Sequence, residues 1–177
     1  YVDIDTLKYL LYDVHELEKL LERERFIDHD KESLDMFLDS SKDFADRELF
    51  PYFKEMDENP AFHKDGQVYV HKQVETMMKK GGELGFISSS FDYKVGGLQI
   101  PLMASTASSY ILDAANNHLP GYAGLTQGAA ELIIHFAKKD LLDKYVPEML
   151  AGNWGGTMCL TEPQAGSSLS DIVTKAT

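Results

Sequence analysis

Ala151-Gly152-Asn153-Trp154-Gly155-Gly156-Thr157-Met158-Cys159-Leu160-Thr161 is where the chain changes character. Upstream, apolar residues recur every three or four positions. From Asn153 on, Trp154, Gly156, Met158 and Leu160 alternate with Gly155, Thr157, Cys159 and Thr161. The first spacing is that of a helix, the second that of a strand. One strand face is apolar; the other is small and hydroxyl-bearing. Pro163 ends the run, residues 164–168 read as a turn, and residues 172–177 read as another strand. The expected fold class is therefore mainly α: a helical bundle over residues 1–152, then the first strands of a β-domain over 153–177. The chain starts at Tyr1 and stops in mid-strand, so a piece of a longer protein is expected.

Working back from Gly152, residues 141–150 predict a short helix. Before it, Ala129, Leu132, Ile133 and Phe136 predict one side of another. Asn116, Asn117 and Pro120-Gly121 separate that helix from an earlier one opened by Pro101, whose missing N–H costs nothing at the first helical position. The earlier helix carries a strip of small residues, Ala104, Ser105, Ala107, Ser108 and Ala114, that lets a neighbour approach closely. Residues 91–100 and 62–69 read as loops. Between them Val74, Met77, Met78 and Leu84 mark a helix closing near Gly81–Gly85 with a left-handed cap. A helix capped by Asp30 or Ser33 is expected to turn Leu34, Phe37, Leu38, Ala45, Leu49 and Phe53 inward and to end before Pro60. At the front, Leu7, Leu10, Val14, Leu17 and Leu21 form the seam of an amphipathic helix started by Asp3 or Asp5.

Charge and composition exclude several roles. Residues 1–60 hold 18 acidic and 8 basic side chains, while residues 61–177 hold 11 and 9. An acidic field of that size repels phosphate backbones and anionic lipid surfaces, so no nucleic-acid partner is expected. No apolar run is long enough for a membrane span. Residues 1–13 are acidic where a secretory signal needs a basic segment, and the single cysteine forms no internal bridge. A cytoplasmic protein is expected. All 13 glycines fall at or after Gly66, so the front is unbroken helix-forming sequence.

Common chemical motifs fail. Gly81–Gly85 lacks the lysine and spacing of a phosphate loop, and no G-x-G-x-x-G follows a strand. Asp28, His29 and Asp30 lack the rest of a calcium loop, and the six histidines never take metal-ligand spacing on one helix, so no metal site is expected. Cys159, without a charged neighbour in sequence, reads as an inert, half-buried thiol. The stretch from Met158 to Ser167 is different. A strand ends on a free hydroxyl at Thr161, a proline turns the chain out of the sheet, and Ala165, Gly166 and Ser167 offer unobstructed backbone N–H groups. Such a neutral donor cluster holds an anion or the edge of a heteroaromatic ring; an ordinary hairpin corner accounts for it as well.

Leu160-Thr161-Glu162-Pro163-x-Ala165-Gly166-Ser167 resembles the flavin-binding signature of the acyl-CoA dehydrogenase family. Residues 145–152 resemble the helix leading into that signature, and residues 93–98, with Gly96-Gly97, the loop before the family's central helix. The wording Thr157-Met158-Cys159-Leu160 is similar to the 3-methylmercaptopropionyl-CoA dehydrogenase-like branch. The resemblance implies the family's N-terminal helical domain followed by the start of its middle β-domain. It implies FAD as cofactor, bound by the backbone at Met158 and Leu160, the Thr161 hydroxyl, and Gly166 with Ser167 near the pyrophosphate or the CoA end of the substrate. An acyl-CoA substrate and an electron-transfer partner follow from the same resemblance. Gln164 stands where glycine is frequent and Ser168 where aspartate is frequent. The family's catalytic glutamate belongs to a domain beyond Thr177, so no catalytic residue is assigned here and Glu162 is not taken as the base.

An edge strand cut from its sheet invites pairing with a further copy, so self-association or disorder of the last ~15 residues is expected, and a homo-oligomer for the parent protein. Two other readings stand beside the dehydrogenase. One is a cofactor-free helical interaction domain that uses the acidic front as a docking face. The other is a different member of the same superfamily, such as an acyl-CoA oxidase.

Overall fold

A computed structural model describes residues 1–175 of the 177. Eight α-helices and one β-hairpin form among them: α1 Ile4–Tyr9, α2 Leu17–Leu21, α3 Lys31–Phe44, α4 Phe53–Glu58, β1 Phe62–Lys64, β2 Gln67–Tyr69, α5 Gln73–Glu83, α6 Leu102–Ala115, α7 Pro120–Phe136 and α8 Lys139–Leu150. No helix of the described residues is long and apolar enough to cross a membrane.

The front departs from a single amphipathic helix. Asp3 caps α1, accepting from the Asp5 N–H, and the first turns run as expected. At Leu10–Val14 the winding opens to a π-turn, with the His15 N–H donating to the Leu10 carbonyl at 2.9 Å. Each π-turn inserts an extra residue and rotates the face that follows. Leu10 and Val14 are therefore exposed, while Leu11 and Leu17 are buried. The same device recurs after α3. Asp30 and Ser33 close a capping box, and Leu34, Leu38, Ala45 and Leu49 enter the core as predicted. A π-turn at Ala45–Leu49 and a 3₁₀ turn at Phe50–Tyr52 then rotate the chain, so Phe53 faces solvent.

The small strip of α6 packs on α3. Ala104, Ser105, Ala107 and Ser108 are buried, and the hydroxyls of Ser41 and Ser108 lie 2.7 Å apart across the interface. Ala114 is exposed, and Ala115 takes its place in the core. Pro101 stands one position outside the helix, at its N-cap. On α7 the buried stripe is Ala123, Thr126 and Ala130, whereas Leu132 and Phe136 face solvent.

Residues 62–69 form an antiparallel hairpin rather than a loop, pairing Phe62 with Tyr69 and Lys64 with Gln67. Asp65 and Gly66 both have positive φ, +51° and +78°, as a two-residue hairpin turn requires. Beyond Gly152 no α-helix forms among the described residues, in line with the change of period, and a single 3₁₀ turn at Leu169–Asp171 is the one helical element there. Residues 157–161 form no backbone–backbone hydrogen bond among the described residues, so the expected strand lacks a ladder partner. A strand is defined by its neighbour, and alternation alone cannot supply one. Residues 172–175 show no regular structure, and the rest of that expected strand lies outside the described residues.

The π-turn at Leu10–Val14 makes a sharp distinction between adjacent leucines. Leu11→Ala should cost about 2–5 kcal/mol, the range for emptying a core leucine site, and Leu10→Ala no more than about 0.5 kcal/mol. Urea denaturation midpoints of the two variants check this; equal losses would restore the continuous helix.

Candidate functional site

The site begins where α8 hands the chain to its tail. Gly152 has φ +75°, and a Cβ there would lie 1.8 Å from the Met78 carbonyl oxygen of α5. Only glycine fits that conformation and that gap. Four residues on, the Gly156 N–H donates to the hydroxyl of the buried Thr126 at 3.0 Å. The same hydroxyl donates to the Tyr122 carbonyl at 2.7 Å. A Cβ on Gly156 would come within 2.6 Å of the Ala129 methyl. The tail is thus pressed backbone-first onto α7.

Past this anchor, Met158, Cys159, Leu160 and Thr161 are all exposed. The exposure of Cys159 corrects the half-buried thiol expected from sequence. Glu162 and Ala165 then close a turn around Pro163-Gln164 through two backbone hydrogen bonds of 2.9 and 3.2 Å. The turn brings Gly166 back against Thr161: a Cβ on Gly166 would meet the Thr161 methyl at 3.7 Å. Gly166 and Ser167 are exposed, and Ala165 is buried beneath them. Of the five candidate residues, the structure brings Thr161 and Gly166 into contact distance. It leaves Met158 and Leu160 on the open stretch before them, and Ser167 on the outer side of the turn.

Glu162 has a role that sequence reading missed. Its carboxylate accepts from the backbone N–H groups of Val173 (2.9 Å) and Thr174 (2.8 Å) and from the Thr174 hydroxyl. The Thr174 hydroxyl and these backbone donors lower its pKa from the ordinary 4.5 to about 2. It is an ionised brace that ties residues 173–174 to the turn. Spacing along the chain gives no signal for it, since its partners lie eleven and twelve residues away.

Two cavities flank the Gly156 anchor. One of about 440 Å³ is lined by His118, by Gly121, Tyr122, Gly124 and Leu125 of α7, and by Gly156 and Thr157. A second of about 530 Å³ lies between α5 and the tail, lined by Val70, Val74, Met78 and Asn153 among others.

The family model described as "Acyl-CoA dehydrogenase, N-terminal domain" covers residues 31–153. The chain belongs to the acyl-CoA dehydrogenase family. A butyryl-CoA dehydrogenase of Syntrophomonas wolfei subsp. wolfei is 27% identical over 176 residues, 96% of this chain and 28% of that protein. The 3-methylmercaptopropionyl-CoA dehydrogenase of Ruegeria pomeroyi is 29% identical over 109 residues, 62% of this chain and 18% of that protein. Among solved structures, a glutaryl-coenzyme A dehydrogenase in complex with glutaryl-CoA aligns with a TM-score of 0.68 at 22% identity, covering 81% of this chain and 35% of that one. That likeness establishes the fold. The chain spans about a third or less of the length of these relatives.

Glu162 supplies a test of the turn. Its folded-state pKa is depressed, so the brace is intact above about 4.5 and is lost as the pH falls through about 2. In an NMR titration the Val173 and Thr174 amide resonances should move with a midpoint near the lower value. A midpoint near 4.5 would mean that the carboxylate is not held.

Proposed function

We propose that this chain is the N-terminal part of an FAD-dependent acyl-CoA dehydrogenase that converts an acyl-CoA thioester into a trans-2-enoyl-CoA. In this division, residues 1–152 are the helical domain and residues 153–177 open the middle β-domain. The observation that carries the reading is the family match over 31–153, with the Thr161–Gly166 turn following on the same chain. The same continuity favours the enzyme over a cofactor-free interaction domain.

The residues present suit FAD. The backbone of 157–161 makes no backbone–backbone hydrogen bond within the described residues, and the hydroxyl-bearing Thr161 is exposed beside a glycine. When bound, FAD supplies the two-electron acceptor for the hydride leaving the substrate's β-carbon. The backbone at Met158 and Leu160 and the Thr161 hydroxyl would face the ring system. Donors fixed in advance at a position where negative charge develops stabilise that charge without reorganisation cost. Gly166 and Ser167 would lie against the pyrophosphate or the CoA portion. The acyl chain would enter the 440 Å³ cavity, whose walls are largely apolar side chains and glycines.

Glu162 does not serve as the base. A carboxylate with four donors, the Gln164 amide included, and a pKa of about 2 has little tendency to take a proton from carbon at neutral pH. The resemblance to the family implies a glutamate of the C-terminal helical domain as the base, and a separate acceptor protein that takes the electrons onward. The full-length enzyme is placed in the cytoplasm and assembles as a homo-oligomer.

The test is the full-length, flavin-loaded protein titrated anaerobically with acyl-CoA thioesters, where bleaching of the oxidised flavin band is expected. No bleaching with any chain length would remove the reading. Thr161→Val deletes the donor while keeping the β-branch. It should lower the flavin midpoint potential by roughly 60 mV, the two-electron equivalent of the ~2.7 kcal/mol at the low end for losing one such donor. Thr161→Ser keeps the hydroxyl and should hold the potential near that of the parent. Equal potentials in all three would make Thr161 a structural residue.

A further inference from the structure

Where α8 crosses α5, a cleft of about 480 Å³ opens between α8 and the loop at residues 94–96. It shares no lining residue with the two cavities beside the tail. Val95, Leu142, Val146 and Leu150 give it an apolar wall, and its volume is that of a small-molecule site. Ser88 also lines it and is only 5% exposed. The neighbouring Ser89 commits its hydroxyl to Ser105 at 2.7 Å, whereas the Ser88 hydroxyl has no hydrogen-bond partner among the described residues. Nor is it sealed in, since the enclosed side-chain polar atom without a hydrogen bond among those residues is Asp35 Oδ1. A hydroxyl that is neither bonded nor enclosed, on a residue this deeply buried, is turned to the cleft it lines. The Ser88 carbonyl accepts from the Phe91 and Leu98 N–H groups at 3.2 and 3.1 Å, which fixes the residue in place.

Lys94 stands at the rim, exposed and in no ion pair among the described residues. The carboxylate on the same rim, that of Asp143, is neutralised by Lys139 at 2.7 Å. The loop carrying Lys94 is tied at both ends to the front of the chain. Asp92 pairs with Arg25, and the Gln99 side-chain amide donates to the Arg25 carbonyl at 2.6 Å. We propose that this cleft binds a short-chain monocarboxylate, whose apolar body lies against Val95, Val146 and Leu150 while its carboxylate accepts from the Ser88 hydroxyl and faces the Lys94 ammonium. One hydroxyl donor and one uncompensated cation match a single carboxylate; a phosphate group would leave most of its oxygens without donors. A buried hydroxyl without a partner costs stability in the empty protein, and a ligand that brings the acceptor removes that cost. The inference does not rest on the acyl-CoA reading.

The experiment titrates sodium hexanoate into the full-length protein by isothermal calorimetry, with hexan-1-ol as the uncharged probe of the same length. Hexanoate should saturate with a dissociation constant of roughly 1 mM, as small-ligand efficiencies allow for so few atoms. Hexan-1-ol should bind the parent more weakly. Lys94→Glu should weaken hexanoate about threefold or more and leave hexan-1-ol unchanged. Ser88→Ala should weaken hexanoate about tenfold or more, the loss expected for one hydrogen bond to a charged group. Because Ser88→Ala removes an unpartnered hydroxyl, its urea midpoint should equal or exceed the parent's. A lower midpoint would show that the hydroxyl serves the fold, and overturns its assignment. Lys94 is exposed, so Lys94→Glu keeps the test open if Ser88→Ala fails to fold. No saturation by hexanoate, equal binding of acid and alcohol, or equal hexanoate affinity in parent and variants overturns the proposal.

Discussion

The structure depends on a contact between two backbones. Where the end of α8 crosses α5, a Cβ on Gly152 would lie 1.8 Å from the Met78 carbonyl and one on Gly82 would lie 2.2 Å from the Ala151 carbonyl. No side chain fits on either side of that crossing. The helices therefore meet at a distance set by main-chain atoms, and the direction in which the chain leaves α8 is fixed by the positive φ of Gly152. Everything downstream inherits this direction. Gly156 reaches Thr126, the tail lies along α7, and the Thr161–Gly166 turn emerges on the open side of the bundle.

From that crossing the tail is held by a few polar ties rather than by a sheet. Thr126 spends its hydroxyl twice, donating to its own helix and accepting from Gly156. Glu162 gathers the backbone donors of Val173 and Thr174. Between the two anchors the stretch from Met158 to Thr161 stays exposed, with its backbone groups uncommitted to other backbone among the described residues. That combination suits a site for a planar, heteroatom-rich ligand. The ends are fixed, so the geometry is set in advance, and the middle keeps its donors available.

Much of this was legible in the sequence, and the misses have identifiable causes. The end of the last helix just before Gly152, the helix start at Asp30 and the small strip of α6 all follow from local rules, because caps and close-packed strips are decided within a turn or two. A turn after the proline was legible too, although the expected residues 164–168 lie later than the Glu162–Ala165 pair that closes it. The π-turns at Leu10–Val14 and Ala45–Leu49 were not. Each shifts the helical phase, so Leu10, Val14 and Phe53 end in solvent although the 3.6-residue count places them inside. The hairpin at 62–69 carries a signal, Asp65-Gly66 between short β-forming runs, that a loop reading of the segment leaves unused. The roles of Thr126, Gly156 and Glu162 depend on partners at separations of 11 to 30 residues, which no local pattern encodes.

α7 shows most directly why apolar spacing misleads near a site. Leu132 and Phe136 have the size and period of core residues, yet they are 62% and 82% exposed. The core instead takes Ala123, Thr126 and Ala130, which are small. The cause is the tail. For Gly156 to lie against α7 and hydrogen-bond Thr126, the inward face of α7 has to be low enough for a backbone to settle on it, and a leucine or phenylalanine there would hold the tail several ångströms away. The burial of large apolar groups is given up on that face in exchange for close approach. The same choice leaves room for the two cavities on either side of the contact, both lined in part by Tyr122, Gly156 and Thr157. A helix whose inward stripe is alanine and threonine, and whose large residues point outward, is shaped by what lies across it rather than by its own amphipathic pattern.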